Sequence, residues 1–302
     1  MNPKPILVVV GSSNTDLVVS VTQIPAPGQT VLGGALQTIP GGKGANQAVA
    51  AARLGGGVRF VARLGDDAYG ALAREGFARE GLDTRFVFAT PGVASGVALI
   101  AVDEKTGENS IVVAPGANAC LSADDIALAA ARAAFDGAAA VLVSLEIPDD
   151  AVFAAVEAGH ARGIPVILNP APARPLPAEL LQKVTILTPN QSELTLLGGS
   201  EALLRAGVAT LVTTLGAEGA RLEQLGEVPQ TFAAPAVTAV DTVAAGDCFT
   251  GALAVELAQG ASLPDAIRFA CAAAALKVTR PGAQPGLPYR AEVVARYNAP
   301  NA

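Results

Sequence analysis

Histidine is nearly missing from this chain, with His160 its single example. A multi-histidine metal centre is therefore excluded, and any histidine-dependent triad would have to use that one residue. Cysteine is scarce too. Cys120, Cys248 and Cys271 lie far apart and form no C-x-x-C pair, which argues against a disulfide framework and for a reducing compartment. Positive charge is in deficit: 20 Lys and Arg face 27 Asp and Glu, a net −7 that argues against a broad nucleic-acid surface. A small phosphate can still be met locally by backbone amides. No apolar run approaches the ~20 residues of a membrane span, and the Pro5–Val10 stretch is too short for a secretory signal core. The expectation is a cytoplasmic protein with neither membrane nor nucleic acid as partner.

What is present is aliphatic. Tryptophan is absent and aromatics make up 4%, yet hydrophobic residues reach 51%, which marks an ordered globular protein. A length of 302 residues allows about two domains and a sizeable core. Short β-branched runs recur at Ile6–Val10, Val58–Val61, Ala139–Ser144, Pro165–Leu168, Val184–Leu187 and Thr210–Thr214, separated mostly by Ala/Leu-rich stretches of helical length. That alternation predicts a mostly parallel sheet covered on both faces. Ser122–Asp125 and Ser262–Asp265 read as capping patterns that start helices, and Gly55, Gly81 and Gly260 as helix-terminating glycines. Two segments break the rhythm. Leu17–Val21 and Val31–Ile39 have no helix between them, and Gly96–Val102 with Ser110–Ala114 flank a polar turn as in a β-hairpin. Together they predict a small antiparallel sheet, which is either a lid or an edge ornament.

Four motifs carry chemistry. Pro40–Gln47 places glycines ahead of an Ala-rich helix, but is neither a Walker loop nor G-x-G-x-x-G. It is open to two readings, a flexible turn or a backbone approach to an oxygen-rich ligand. In Ala239–Phe249, the spacing of Phe249, Leu253 and Leu257 predicts a helix beginning near Gly246. Ala244, Ala245 and Gly246 are too small to block their own amides, so this helix start can meet developing negative charge, with Asp247 beside it as a proton acceptor. An acidic residue in a first helical turn also needs no function. Asn190-x-x-Glu193 has the spacing of a capping box as well as of a site. Thr214, Gly216 and Gly219 form a glycine turn after a strand, the edge at which open parallel sheets bind ligands. Glu146 falls at the same edge. Asn14 and Asp16 after the first strand suit either an Asx turn or the binding of neighbouring hydroxyls. His160 reads as a surface helix residue and the cysteines as small core hydrophobes.

Taken together, these motifs resemble the ribokinase-like (PfkB-type) carbohydrate kinase family. The resemblance runs from Gly11-Ser-Ser-Asn-Thr-Asp16 to Val278-Thr-Arg-Pro-Gly-Ala-Gln-Pro285. Gly41-Gly-Lys-Gly-Ala-Asn46 and Asp241-Thr-Val-Ala-Ala-Gly-Asp247 match its two signatures, and Asn169–Arg174 matches a further loop. It implies a doubly wound α/β body over 1–12, 41–94 and 115–302, with a β-sheet lid from 13–40 and 95–114 that doubles as a homodimer clasp. The implied activity is ATP-dependent phosphorylation of D-ribose to D-ribose 5-phosphate, with a related kinase acting on 2-deoxyribose or a nucleoside as the alternative. A sugar-binding protein without catalysis is a third reading, which leaves Asp247 without a task.

By position, the resemblance assigns Asn14, Asp16, Gly42, Lys43, Asn46 and Glu146 to the sugar. It assigns Asn190, Thr214, Gly216, Gly219 and Cys271 to ATP, and Glu193 to Mg²⁺ through water. Ala244, Ala245 and Gly246 become the anion hole, with Gly246 also on the ATP side, and Asp247 the base that also holds the sugar hydroxyl. A monovalent cation, K⁺, is implied at Asp241, Val243, Lys277, Arg280, Gly282 and Gly286, mostly through backbone carbonyls. Gly286 stands where the family's ribose kinases carry a serine.

Overall fold

The structure, a computed structural model, describes residues 3–297. Its strands are β1 (Ile6–Val10), β2 (Asn14–Val21), β3 (Gln37–Gly41), β4 (Gly57–Gly65), β5 (Val87–Thr90), β6 (Gly96–Asp103) and β7 (Asn109–Ala114). Then follow β8 (Ala138–Ser144), β9 (Val166–Asn169), β10 (Ile186–Leu187), β11 (Thr210–Thr214), β12 (Ala220–Glu223) and β13 (Gln230–Phe232). Nine of them form one sheet in the order β13-β12-β11-β10-β9-β8-β1-β4-β5. Every pairing from β11 to β5 is parallel, and β12 and β13 add an antiparallel edge.

Strand β1 shows why the sheet is covered on both faces. Leu7 and Val9 point into one buried cluster, Val8 and Val10 into another, and all four have no exposed surface. Side chains alternate across a strand, so a continuous apolar run needs a helical layer on each side. Burying each such side chain contributes roughly 1.5–3 kcal/mol. The first layer includes the helices Lys43–Arg53, Ala245–Ala258 and Leu263–Val278; the second includes Ala123–Ala131 and Asp149–His160. The capping and stop signals act as read: Ser122 and Ser262 cap their helices, and Gly55, Gly81 and Gly260 take positive φ just past helix ends.

The small sheet has the order β3-β2-β6-β7 and is mixed, not purely antiparallel. Its outer pairs are antiparallel, but β2 and β6 run parallel from Asn14↔Gly96 to Val21↔Asp103. The reason is topological: both chain excursions leave the same edge of the body in the same direction. Of the Val31–Ile39 run, only its last residues join β3. His160 ends its helix exposed, as expected, whereas Cys120 is exposed and not a core residue. Among the described residues no helix is long and apolar enough to cross a membrane.

Candidate functional site

Two cavities open at the carboxyl edge of the parallel strands. The first, of about 620 Å³, lies between that edge and one face of the small sheet. The sheet supplies Val18, Ile100 and Ile111, and the body supplies Gly42, Lys43, Asn46, Glu146 and Asp247. Asn14 and Asp16 stand at the root of β2 and point into the same space. All seven residues assigned to the sugar therefore converge. This small sheet covers a cavity and is no edge ornament.

Gly42 makes the convergence possible. It holds φ 88°, and a Cβ there would stand 2.6 Å from the Asn14 nitrogen. Only glycine lets the helix Lys43–Arg53 start so close to the root of β2. The amide of Lys43, at that helix start, donates to Glu146 Oε2 at 3.0 Å, and Ser12 Oγ donates to the same oxygen at 2.6 Å. The loop bearing Glu146 is anchored by Arg174, whose guanidinium donates to the carbonyls of Leu145 and Ile147. Asn118 fixes Asn14 by donating Nδ2–H to its Oδ1 at 2.7 Å, which leaves the Asn14 amide hydrogens for the cavity.

Asp247 is held from both sides. Asn46 Nδ2 donates to its Oδ2 and Gln47 Nε2 to its Oδ1, each at 3.0 Å. Gln47 also donates to Asn169 Oδ1, and Asn169 to the Thr188 carbonyl, which ties the carboxylate to the sheet edge. The side-chain oxygen of Asn46 is buried without a donor, an open place for a hydroxyl. Asn118, Gln47 and Asn169 have no assigned role in the sequence reading. Each acts through a contact more than 100 residues away, so spacing carries no trace of it.

Four carboxylates, Asp16, Glu146, Asp241 and Asp247, and one ammonium, Lys43, share this cavity. Burial, then Glu146 and Asp247, push the Asp16 carboxyl up to about 6, and among the described residues no hydrogen bond opposes this. Burial works against the Lys43 ammonium, but Asp247, Glu146 and Glu193 outweigh it and hold its pKa above the ordinary lysine value. Lys43 is thus a retained cation among acids.

The second cavity, of about 460 Å³, is lined by Thr214, Gly216, Gly219, Gly246 and Cys271 together with apolar neighbours such as Phe249 and Val278. Burial pushes the Cys271 thiol up to about 12, so it acts there as an apolar wall. Ala239 and Thr242 line both cavities, which meet at the start of the helix Ala245–Ala258. That helix has no side-chain cap, and Ala244 before it adopts a left-handed conformation (φ 61°). This costs about 1 kcal/mol for a non-glycine residue. The Ala245 amide is used by the turn, donating to the Thr242 carbonyl at 3.2 Å, and Cys248 donates to Ala244. Among the described residues the amides of Ala244, Gly246 and Asp247 have no hydrogen-bond partner, so of the Ala244–Gly246 set expected only Ala245 is engaged.

Asn190 and Glu193 line neither of these two cavities. They form a reciprocal capping box at 2.8 Å each way, so the capping reading of that motif holds. Burial raises the Glu193 pKa, the Asn190 amide and Lys43 lower it, and Asp247 raises it, so it still feels the site's charges. Among the described residues no cluster of three or more His, Cys, Asp or Glu side chains is poised for a metal.

The positions expected to hold K⁺ are arranged differently. Asp241 Oδ1 accepts from Val243 N at 2.9 Å and Oδ2 from Gly282 N at 2.7 Å. The carbonyls of Asp241 and Arg280 accept from Lys277 Nζ at 2.9 and 3.3 Å. Lys277, expected to offer its carbonyl, thus puts its own ammonium into the cluster. The Arg280 side chain turns away to Glu292. The residues present do not fit an added monovalent cation.

Known proteins bear out this architecture. Residues 4–290 match the model of the pfkB family carbohydrate kinases. The ribokinase of Bacillus subtilis is 44% identical over 292 residues, covering 94% of this chain and 97% of that protein. The ribokinase of Haemophilus influenzae is 40% identical over 300 residues, covering 95% and 97%. The structure of Arabidopsis thaliana ribokinase complexed with ribose and ATP superposes with a TM-score of 0.87 at 36% identity, covering 99% of this chain and all of that one. With two cavities meeting at an uncapped helix start beside a clamped aspartate, the chain belongs to the pfkB family of carbohydrate kinases.

Proposed function

We propose that this chain transfers the γ-phosphoryl group of ATP to the primary hydroxyl of D-ribose, giving D-ribose 5-phosphate and ADP. The observation that carries this is Asp247, clamped by Asn46 and Gln47 where the sugar-side and nucleotide-side cavities meet. Asp247 takes the hydroxyl proton, the freed oxygen attacks the γ-phosphorus, and the bond to the ADP oxygen breaks. The Gly246 and Asp247 amides at the helix start, aided by the macrodipole, meet the charge on the transferring group. Lys43 adds a fixed positive charge from the sugar side. Asn14, Asp16, Asn46 and Glu146 bind the sugar hydroxyls, while Thr214, Gly216, Gly219 and Cys271 frame ATP. Mg²⁺ bound with ATP supplies neutralisation of phosphate charge; Glu193 would reach it through water, and Asn190 positions Glu193 by the capping box.

The small sheet is the lid, and we place a second copy of the chain against it. Leu99 and Val112 face each other across β6 and β7 and are 52% and 62% exposed, an apolar surface suited to burial in a homodimer. An ATP-dependent reaction and three unpaired cysteines suit the cytoplasm.

The test is coupled ADP release with D-ribose, 2-deoxyribose and nucleosides in parallel, with the product identified by phosphorus NMR. D-ribose is expected to lead 2-deoxyribose by at least ~10-fold in kcat/KM, because a site that hydrogen-bonds a hydroxyl rejects its absence. Preference for a nucleoside, or no turnover with any sugar, would remove this reading.

A further inference from the structure

We propose that the ε-ammonium of Lys277 is a built-in monovalent cation, filling the carbonyl cluster at Asp241 and Arg280 and freeing this chain from dependence on an added ion. The proposal rests on the kinase reading above. Lys277 lies in the last turn of the helix Leu263–Val278 and has no exposed surface, a rare placement for a lysine. Its Nζ donates to the carbonyls of Asp241 and Arg280 and stands 3.8 Å from Asp241 Oδ2. Two carbonyls and a carboxylate form the ligand set a potassium-sized cation uses, and an ammonium meets it with directed hydrogen bonds. A second cation placed on the same oxygens would face the first at close range in a low dielectric.

Gly286 fits the same picture. A Cβ at that position would stand 3.1 Å from Lys277 Cε and 3.1 Å from the Arg280 carbonyl. A side chain there would press on the lysine stem, so glycine at 286 and lysine at 277 are complementary.

The consequence reaches the chemistry through Asp241. Lys277 anchors its carbonyl, and its carboxylate then fixes the Val243 and Gly282 amides. Val240 and Asp241 donate to the Val278 carbonyl at 2.7 and 3.0 Å, closing the loop onto the helix end. Val243 leads directly into Ala244 and the helix start that receives the phosphoryl group. Lys277 is thus a positioning residue.

The experiment compares ribose-dependent ADP release, at saturating Mg²⁺-ATP and ribose, in tetramethylammonium buffer with and without K⁺. Wild-type rates should agree within about twofold. In Lys277→Ala, kcat should fall at least ~10-fold in tetramethylammonium with KM for ribose little changed, and K⁺ should restore most of it. K⁺ should also raise the variant's Tm and leave the wild-type Tm unmoved. If Lys277→Ala does not fold, Lys277→Met preserves the stem, and the wild-type comparison decides alone. Marked activation of the wild type by K⁺ would overturn the proposal. So would a variant that keeps full turnover, or one whose deficit K⁺ does not repair. Absence of ribose phosphorylation in every buffer would instead remove the kinase reading, and the Tm comparison would still judge Lys277.

Discussion

Replacing Asp16 by Asn should stabilise the ligand-free protein while damaging its affinity for sugar. The carboxyl is buried, faces Glu146 and Asp247, and is pushed from 3.8 up to about 6. At 1.36 kcal/mol per pKa unit, the charged form costs the fold about 3 kcal/mol at neutral pH. Asn keeps the shape and removes the charge. With allowance for relaxation, the gain should be ~1–3 kcal/mol, or about 2–5 °C in Tm for a chain of this size. The pH dependence fixes the sign. A carboxyl raised in the folded state gives the wild type a relative stability that is complete below 3.8 and lost as pH rises through about 6. The variant's advantage should therefore grow as pH rises from about 4, be complete above about pH 6, and vanish towards pH 4. Differential scanning fluorimetry across that range measures it, and ribose titration should show affinity weakened by about 10–100-fold. A lower Tm for Asp16→Asn at pH 7.5, or an advantage independent of pH, would refute the reasoning.

Asp247→Asn should fold, because Asn46 and Gln47 each have a buried oxygen free to turn towards the new amide. Its kcat should drop at least ~10² while ribose affinity changes little, and near-wild-type turnover would remove Asp247 as the base. Hydrogen exchange in β2, β6 and β7 should slow at saturating ribose, since the lid face and the sugar residues share one cavity. Unchanged protection would argue against closure.

The legible part of the fold was the part written locally. Thr210–Thr214 is a strand to the residue, and the helix start near Gly246 lies one position from where it was expected. Most of the sugar residues were visible because they belong to short signatures, Gly11–Asp16, Gly41–Asn46 and Asp241–Asp247, at the start of β2 and of two helices. Three kinds of feature were not visible. Short edge strands such as β12 and β13 mix polar and apolar residues and lack a run to announce them. The parallel pairing of β2 with β6 joins residues 82 positions apart, whereas a pattern reading pairs neighbours. Lys277 looks, in sequence, like the solvated cation that favours a helix C-terminus. Its burial depends on Asp241 and Gly286, which approach only in the folded chain.

The parallel seam between β2 and β6 also bears on how such a lid can be gained or lost. Each excursion alone contributes a two-stranded ribbon, and ribbons of that size are marginal in water. Without β6, β2 would present a full row of unpaired backbone groups, and without β2 the reverse holds. The four-stranded sheet is therefore a shared possession of two insertions placed far apart in the chain. Neither is a cassette: transplanting or trimming one leaves the other an open edge, so the two must be acquired, exchanged or discarded together.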